Sequence, residues 1–274
     1  MIQHPEYLYH YTSIETLALI LKHKTIRFSR LDLVDDPEEI KTDDFGNLGR
    51  FLFVSCWSSE EEESIPMWKM YSNDLKGVRI KLPAYPFKKH IFNSTTIKRK
   101  NRDALSDIII ENESDMCYSY IDINKLFDWK LSSAPIREEL LKRVVYTNSK
   151  DLIYQKVYTE SESNKSINIK DLGVYKWKYW EFQKEYRYLF FVSPWGKEDA
   201  LMSTVEGHIE LFNRFKWFNI PQLYIDFELD RYKMCDMVIT LGPKTSESDA
   251  VIVQLLIEKF NPKARIEKSK ISIR

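Results

Sequence analysis

The sequence predicts an α+β protein: a mixed, largely antiparallel sheet of short strands with helices on its faces. Three observations carry that expectation. Strand–helix–strand passages stand at residues 7–29 and 51–82, residues 188–192 are apolar on both faces, and runs at 221–229 and 235–242 follow one another with no helix between them.

The elements follow in order. Residues 7–11 (YLYHY) alternate and are rich in β-formers, and Thr12 followed three residues later by Glu15 reads as a capping box. It opens a helix with Ile14, Leu17, Ala18 and Leu21 on one face, which His23 and Lys24 suit as a C-terminus before a strand at 25–29. Asp, Pro and Gly between 31 and 49 mark turns ahead of a buried strand at 51–57 (FLFVSCW). Ser64 caps a short helix with Pro66 in its first turn and Trp68 and Tyr71 nearly one turn apart, and Asn73-Asp74 turns the chain into a strand at 77–82.

Residues 83–140 are less regular and read as a mainly helical insertion, with helices around 103–110 and 135–143. Strand-like alternation resumes at 141–147, and 148–172 is polar enough for a long connection. The strand beginning near Glu185 is apolar on both faces from Tyr188 to Val192, which places it centrally in the sheet. Ser246 opens a last helix with Ala250, Val253, Ile257 and Phe260 on one side, and 264–273 alternates like a strand. The whole of 1–274 reads as one domain.

Composition removes several function classes. With 41 Lys+Arg against 41 Asp+Glu, surplus charge alone cannot hold duplex nucleic acid, which leaves only a local patch such as Lys98, Arg99, Lys100 and Arg102. A hydrophobic content of 43% excludes global disorder. The seven glycines are never separated by a single residue, so the dinucleotide fingerprint is absent, and no phosphate loop can be written either. Cys56, Cys117 and Cys235 form no C-x-x-C and suggest neither disulfides nor a zinc knuckle. The start of the chain resembles no secretory signal and no apolar run approaches the roughly 18 residues of a membrane span, so a cytoplasmic protein without membrane contact is expected. Zinc-protease, nucleophile-elbow and EF-hand spacings are missing, and nothing encourages metal-dependent chemistry.

Three places could carry chemistry. In the first strand Leu8, His10 and Thr12 share one side and Tyr7, Tyr9 and Tyr11 the other. A lone strand histidine is commonly satisfied by a backbone carbonyl. Glu185 and Arg187 share a face that turns apolar at Leu189 and Phe191; Glu185 either forms a strand-end ion pair with Arg187 or Lys184, or stays open to a cleft where it could stabilise a sugar cation. Glu181, four residues earlier, is its substitute. Trp68 and Tyr71 either line a shared pocket or belong to the core.

LYHYTSIETLALILKHKTIRFS resembles the first strand, helix and second strand of the ADP-ribosyltransferase superfamily. FLFVSCWS with the helix bearing Tyr71 resembles that superfamily's next strand and helix, and EYRYLFFV its late strand opening with a catalytic glutamate. Across essentially the whole chain, LYHYTS, the DDPEE loop, VSCWS before MWKMYS, KGVRI, WEFQKEYR and ITLGPKTS in this order resemble the bacterial domain of unknown function (DUF) 2971 family.

The resemblance implies an ADP-ribosyltransferase-like split sheet and an enzyme that uses NAD as substrate. Its acceptor would be a macromolecule, with RNA and DNA as candidates, in a toxin or anti-phage role. His10 would hydrogen-bond the ribose and amide side of NAD, with Tyr11 and Thr12 beside it. Tyr71 would pack against nicotinamide near Trp68, and Ser55 corresponds loosely to a strand serine. Glu185 would stabilise the oxocarbenium-like transition state, and Arg187 could engage a phosphate. Tyr11 stands where a glycine usually follows the histidine, which would narrow the nicotinamide pocket. The rival readings are a non-catalytic nucleotide- or RNA-binding module with an aromatic cleft, and hydrolysis of NAD or phosphate transfer on the same scaffold.

Overall fold

In the computed structural model, which describes residues 4–93, 116–131, 133, 140–160, 165–195, 210 and 213–273, strand β1 runs Tyr7–Thr12. Thr12 stays paired to Val78, so the cap of helix α1 (Ile14–His23) falls one residue later than the sequence suggested. Ser13 Oγ accepts from the Thr16 N–H at 3.2 Å, and Lys24 ends the helix in the left-handed region at φ 56°. Strand β2 (Thr25–Arg30), strand β3 (Leu52–Ser58), helix α2 (Ile65–Tyr71) and strand β4 (Val78–Pro83) follow as expected. Ser64 caps α2 through the Met67 N–H, with Pro66 in the first turn where a missing donor leaves no bond unmade.

The turn into β4 is tight. Asn73, Asp74 and Leu75 all take positive φ, and Gly77 passes so close to β1 that an added Cβ would lie 2.2 Å from the Thr12 carbonyl oxygen. Gly77→Ala is therefore expected to destabilise the protein by about 1 to 3 kcal/mol through overpacking. A urea midpoint equal to that of the parent would show that the turn yields without cost.

Strands β5 (His90–Asn93) and β6 (Met116–Ser119) pair antiparallel, and helix α3 spans Ile123–Asp128. The described part of 83–140 holds a two-stranded ladder and a six-residue helix. The helix expected around 103–110 and the basic cluster at 98–102 lie outside the described residues. Of the helix expected around 135–143, residues 135–139 lie outside the described residues and Leu141–Arg143 form strand β7 instead. The polar stretch read as a connection follows strand β8 (Val145–Thr147) and contains helix α4 (Lys150–Ile153) and the antiparallel strands β9 (Tyr158–Glu160) and β10 (Lys165–Ile167). Then come strand β11 (Tyr175–Trp177), parallel to β8, and strand β12 (Glu185–Phe191). The chain closes with strand β13 (Tyr224–Glu228), strand β14 (Val238–Leu241), helix α5 (Glu247–Phe260) with a reciprocal capping box between Ser246 and Asp249, and strand β15 (Arg265–Lys268).

Nine strands form the main sheet, mixed and mostly antiparallel, in the order β13-β2-β3-β1-β4-β14-β15, with β12 attached at β3 and β7 at β12. Strand β12 covers one edge of β3 along its full length, from Glu185 opposite Ser58 to Phe191 opposite Leu52, and β7 flanks it on the far side. The central position read from its two apolar faces is correct. The other edge of β3 is shared: β2 pairs at Phe53 and Val54, and β1 pairs at Ser58. Between residues 55 and 57 the two neighbours part, so the sheet divides into a β13–β2 wing and a β1–β4–β14–β15 wing, joined by α1.

Directly opposed residues share a face of the sheet. Leu8, His10, Ile80, Ser55, Trp57, Tyr186 and Tyr188 therefore lie on one side, which is the main core. Leu17 and Leu21 of α1 and Val253 and Ile257 of α5 are buried in it. The opposite side carries Glu185, Arg187, Cys56, Ser58, Tyr9 and Tyr11. No helix among the described residues is long and apolar enough to cross a membrane.

Candidate functional site

The chemistry of the molecule concentrates at the start of β12, where four charged side chains, Glu39, Lys176, Glu185 and Arg187, sit together with none more than 5% exposed. Glu39 comes from the loop before β3, Lys176 from β11, and the other two from one face of β12. Two carboxylates meet two cations, so the cluster is neutral as a whole. That is the condition under which buried charge is tolerated.

Both cations are held by partners within the protein, and Arg187 is saturated. A guanidinium has five N–H donors. Arg187 uses its Nε on Glu185 Oε1 at 2.6 Å, Nη2 on Glu185 at 3.2 Å and Glu39 at 3.0 Å, and Nη1 on Glu39 and on the Gly173 carbonyl at 3.0 Å. Lys176 donates to Gln183 Oε1 at 2.7 Å and to Glu185 Oε2 at 3.2 Å, and its ammonium also lies in ion-pair contact with Glu39 at 3.1 Å. Glu185 thus forms the ion pair with Arg187, not with Lys184, and Arg187 has no donor left for a phosphate, contrary to that expectation. Glu181 lies outside the cluster, paired at the surface with Lys178 at 2.8 Å.

Burial alone pushes the Glu185 carboxyl up, but Arg187 and Lys176 outweigh it and lower it from 4.5 to about 2. A carboxylate with a depressed folded value stabilises the protein above its unfolded value and loses that contribution as pH falls through the folded one. Stability is therefore expected to decline between pH 4.5 and about 2. Thermal melts of the parent and of Glu185→Gln across that window should converge; parallel curves would place the acid sensitivity elsewhere.

Around the cluster stand phenols and a thiol. Gln183 turns its amide N–H to the Tyr71 hydroxyl at 2.6 Å, and burial followed by the Asp35 carboxylate pushes that phenol up. The Glu185 N–H donates to the Tyr146 hydroxyl at 2.8 Å, and burial raises that phenol too. Cys56 lies opposite Arg187 on β3; burial first, then the Glu185 charge, raises its thiol well above its usual value.

Tyr71 and Arg187 are thus brought to Glu185, Tyr71 through Gln183. His10 is not, because it points to the other face of the sheet. There its ring lies 5.0 Å from that of Trp57, and Nδ1 is 2.9 Å from the Cys56 carbonyl oxygen in the gap where β1 leaves β3. A carbonyl only accepts, so Nδ1 carries the proton; burial lowers the imidazole pKa, and the neutral ring presents Nε2 as an acceptor. Ser55, on the same face as His10, accepts from Trp57 Nε1 at 3.0 Å. Thr12 is buried, with its backbone paired to β4.

Trp68 and Tyr11 form a separate small core with Leu75. Their rings meet edge to face at 4.9 Å, the Trp68 indole donates to Glu63 at 2.9 Å, and the Tyr11 hydroxyl accepts from the Ser64 N–H at 3.1 Å. Trp68 is wholly buried, which settles its reading as core. Sequence reasoning did not single out Glu39, Lys176, Gln183, Tyr146 or Cys56 as partners of Glu185. The one available signal was the need of a strand-face carboxylate and arginine for counter-charges, which names a residue type and no position. No protein-family model, no curated protein and no solved structure matches this chain.

Proposed function

We propose that the protein is an ADP-ribosyltransferase-like enzyme that cleaves the nicotinamide–ribose bond of NAD and passes ADP-ribose to a macromolecular acceptor, in a toxin or anti-phage role. The observation that supports it best is the ionised Glu185 at the head of β12, beside the place where β1 and β2 part from β3. Cleavage of an N-glycosidic bond develops positive charge on the ribose, and a carboxylate held ionised offsets that charge without reorganising. Tyr71, tied to the cluster by Gln183, supplies an aromatic wall, whereas the neutral imidazole of His10 lies on the opposite face of the sheet. On this reading the arrangement is a closed one: substrate displaces Lys176 from Glu185, while Arg187 stays to position the carboxylate. The test is nicotinamide release from NAD by the parent and by Glu185→Gln, with and without RNA, DNA and protein as acceptors.

A second reading, a non-catalytic nucleotide- or RNA-binding module, is favoured by the saturation of Arg187 and the pairing of Lys176 with Glu39 and Glu185, which leaves a neutral structural network needing no substrate. It requires nucleotide binding to be the same in Glu185→Gln and no nicotinamide to be released. Trp68→Ala cannot discriminate, because it opens a cavity in the core.

A further inference from the structure

A cavity of about 260 Å³ opens on the face of the sheet that bears Glu185, lined by Tyr7, Lys81, Cys235, Asp236, Lys263 and Arg265. Three cations face one carboxylate. Among the described residues none of these four charges has an ion-pair partner. That separates them from Arg187, whose every donor is taken by the protein itself, and from Lys176, which is ion-paired to Glu39 and Glu185.

Strand register explains why the cations converge. Tyr9 lies opposite Lys81, Lys81 opposite Val238, and Val238 opposite Arg265, so the four form one row across β1, β4, β14 and β15 on a single face. Lys81 and Arg265 flank the small apolar Val238 at two strand spacings, about 10 Å between Cα atoms. Their side chains can meet over a floor that offers no competing polar group. Lys81 Nζ stands 4.3 Å from the Tyr7 ring centroid and 5.8 Å from that of Tyr9, cation–π contacts that hold the ammonium group beside the cavity. The rim is also tied down: the Arg265 N–H bonds the Met237 carbonyl at 3.0 Å, and the buried Asn261 side chain bonds the Met234 carbonyl at 2.9 Å, joining the turns that carry Asp236 and Lys263.

We propose that this cavity binds a compact phosphate or diphosphate group, with the Arg265 fork and the Lys81 and Lys263 ammonium groups as donors. The net charge of its lining matches a dianion. The site is independent of the reading of Glu185, from which Lys81 is separated by three strand spacings along the same row, about 14 Å.

The experiment is calorimetric titration of inorganic pyrophosphate, and separately of a single-stranded oligonucleotide, into the full chain and into Lys263→Glu/Arg265→Glu. Both substituted residues are exposed, so the melting temperature should hold. Pyrophosphate should bind the parent, and at least about ten-fold more weakly to the variant, through loss of charge-assisted hydrogen bonds. Absence of pyrophosphate binding, equal binding to the variant, or binding of the oligonucleotide alone would each overturn the proposal, the last by showing an extended basic surface in its place. Lys81→Met, which removes the donor on the other side of the cavity, should weaken pyrophosphate in the same direction, and equal affinity would likewise count against the site.

Discussion

Arg187→Met is expected to remove about 3 to 5 kcal/mol of stability, because it leaves buried carboxylates without their counter-charge. Glu39 and Glu185 would then share Lys176 alone, at 3.1 and 3.2 Å, at a depth where neither side chain is more than 5% exposed and their repulsion is weakly screened. The Gly173 carbonyl would also lose its donor. For a chain of this size the loss corresponds to roughly 6 to 20 °C in melting temperature. The exposed pair Lys88 and Glu228 provides the comparison, since each side chain is about half exposed and Lys88→Met should change stability by about 1 kcal/mol or less. If both substitutions shifted the melt by the same small amount, the cluster would have no special place in the stability of the fold. The experiment also bears on function: a variant that stays folded at low temperature but releases no nicotinamide would show Arg187 acting as a positioning group for Glu185.

The second expected result is a fall of roughly 10²- to 10³-fold in nicotinamide release on Glu185→Gln, the loss of about 3 to 4 kcal/mol typical of removing one electrostatic stabiliser from a preorganised site. The substitution keeps shape and removes charge. Arg187 retains Glu39 as its partner, so the cluster goes from neutral to a single positive charge, and the melt of the same preparation separates lost chemistry from lost fold. If the charge acts only in the transition state, the turnover number falls and KM stays near its parent value. A variant that turns over as fast as the parent ends the assignment of Glu185, and a parent that releases no nicotinamide with any acceptor ends the reading of the enzyme.

Much of the fold was legible because its signals are local. The caps at Ser64 and Ser246, the turn at Asn73-Asp74 and the doubly apolar run from Tyr188 each depend on neighbours within a few residues. The cap at Thr12 was misplaced by one position because a distant partner, Val78, holds Thr12 in its strand. The same kind of long-range choice decides the site. Glu39 meets Arg187 across 148 residues of chain, and Tyr71 meets Gln183 across 112. Glu39 sits in a loop with no periodicity to say which way it points. The separation of His10 from Glu185 follows from one register pair, Tyr9 opposite Ser58. A shift of one residue would have put the histidine and the glutamate on the same face, and no pattern within either strand specifies that register.

The division of the sheet at β3 has a mechanical meaning. Strand β3 is a keel shared by two wings, each hydrogen-bonded to a different stretch of its free edge and braced from behind by β12. A torque that turns one wing against the other is borne by the three residues between, where the ring of His10 on the Cys56 carbonyl serves as a cross-tie. Helix α1, whose ends belong to different wings, works as the strut that limits the swing.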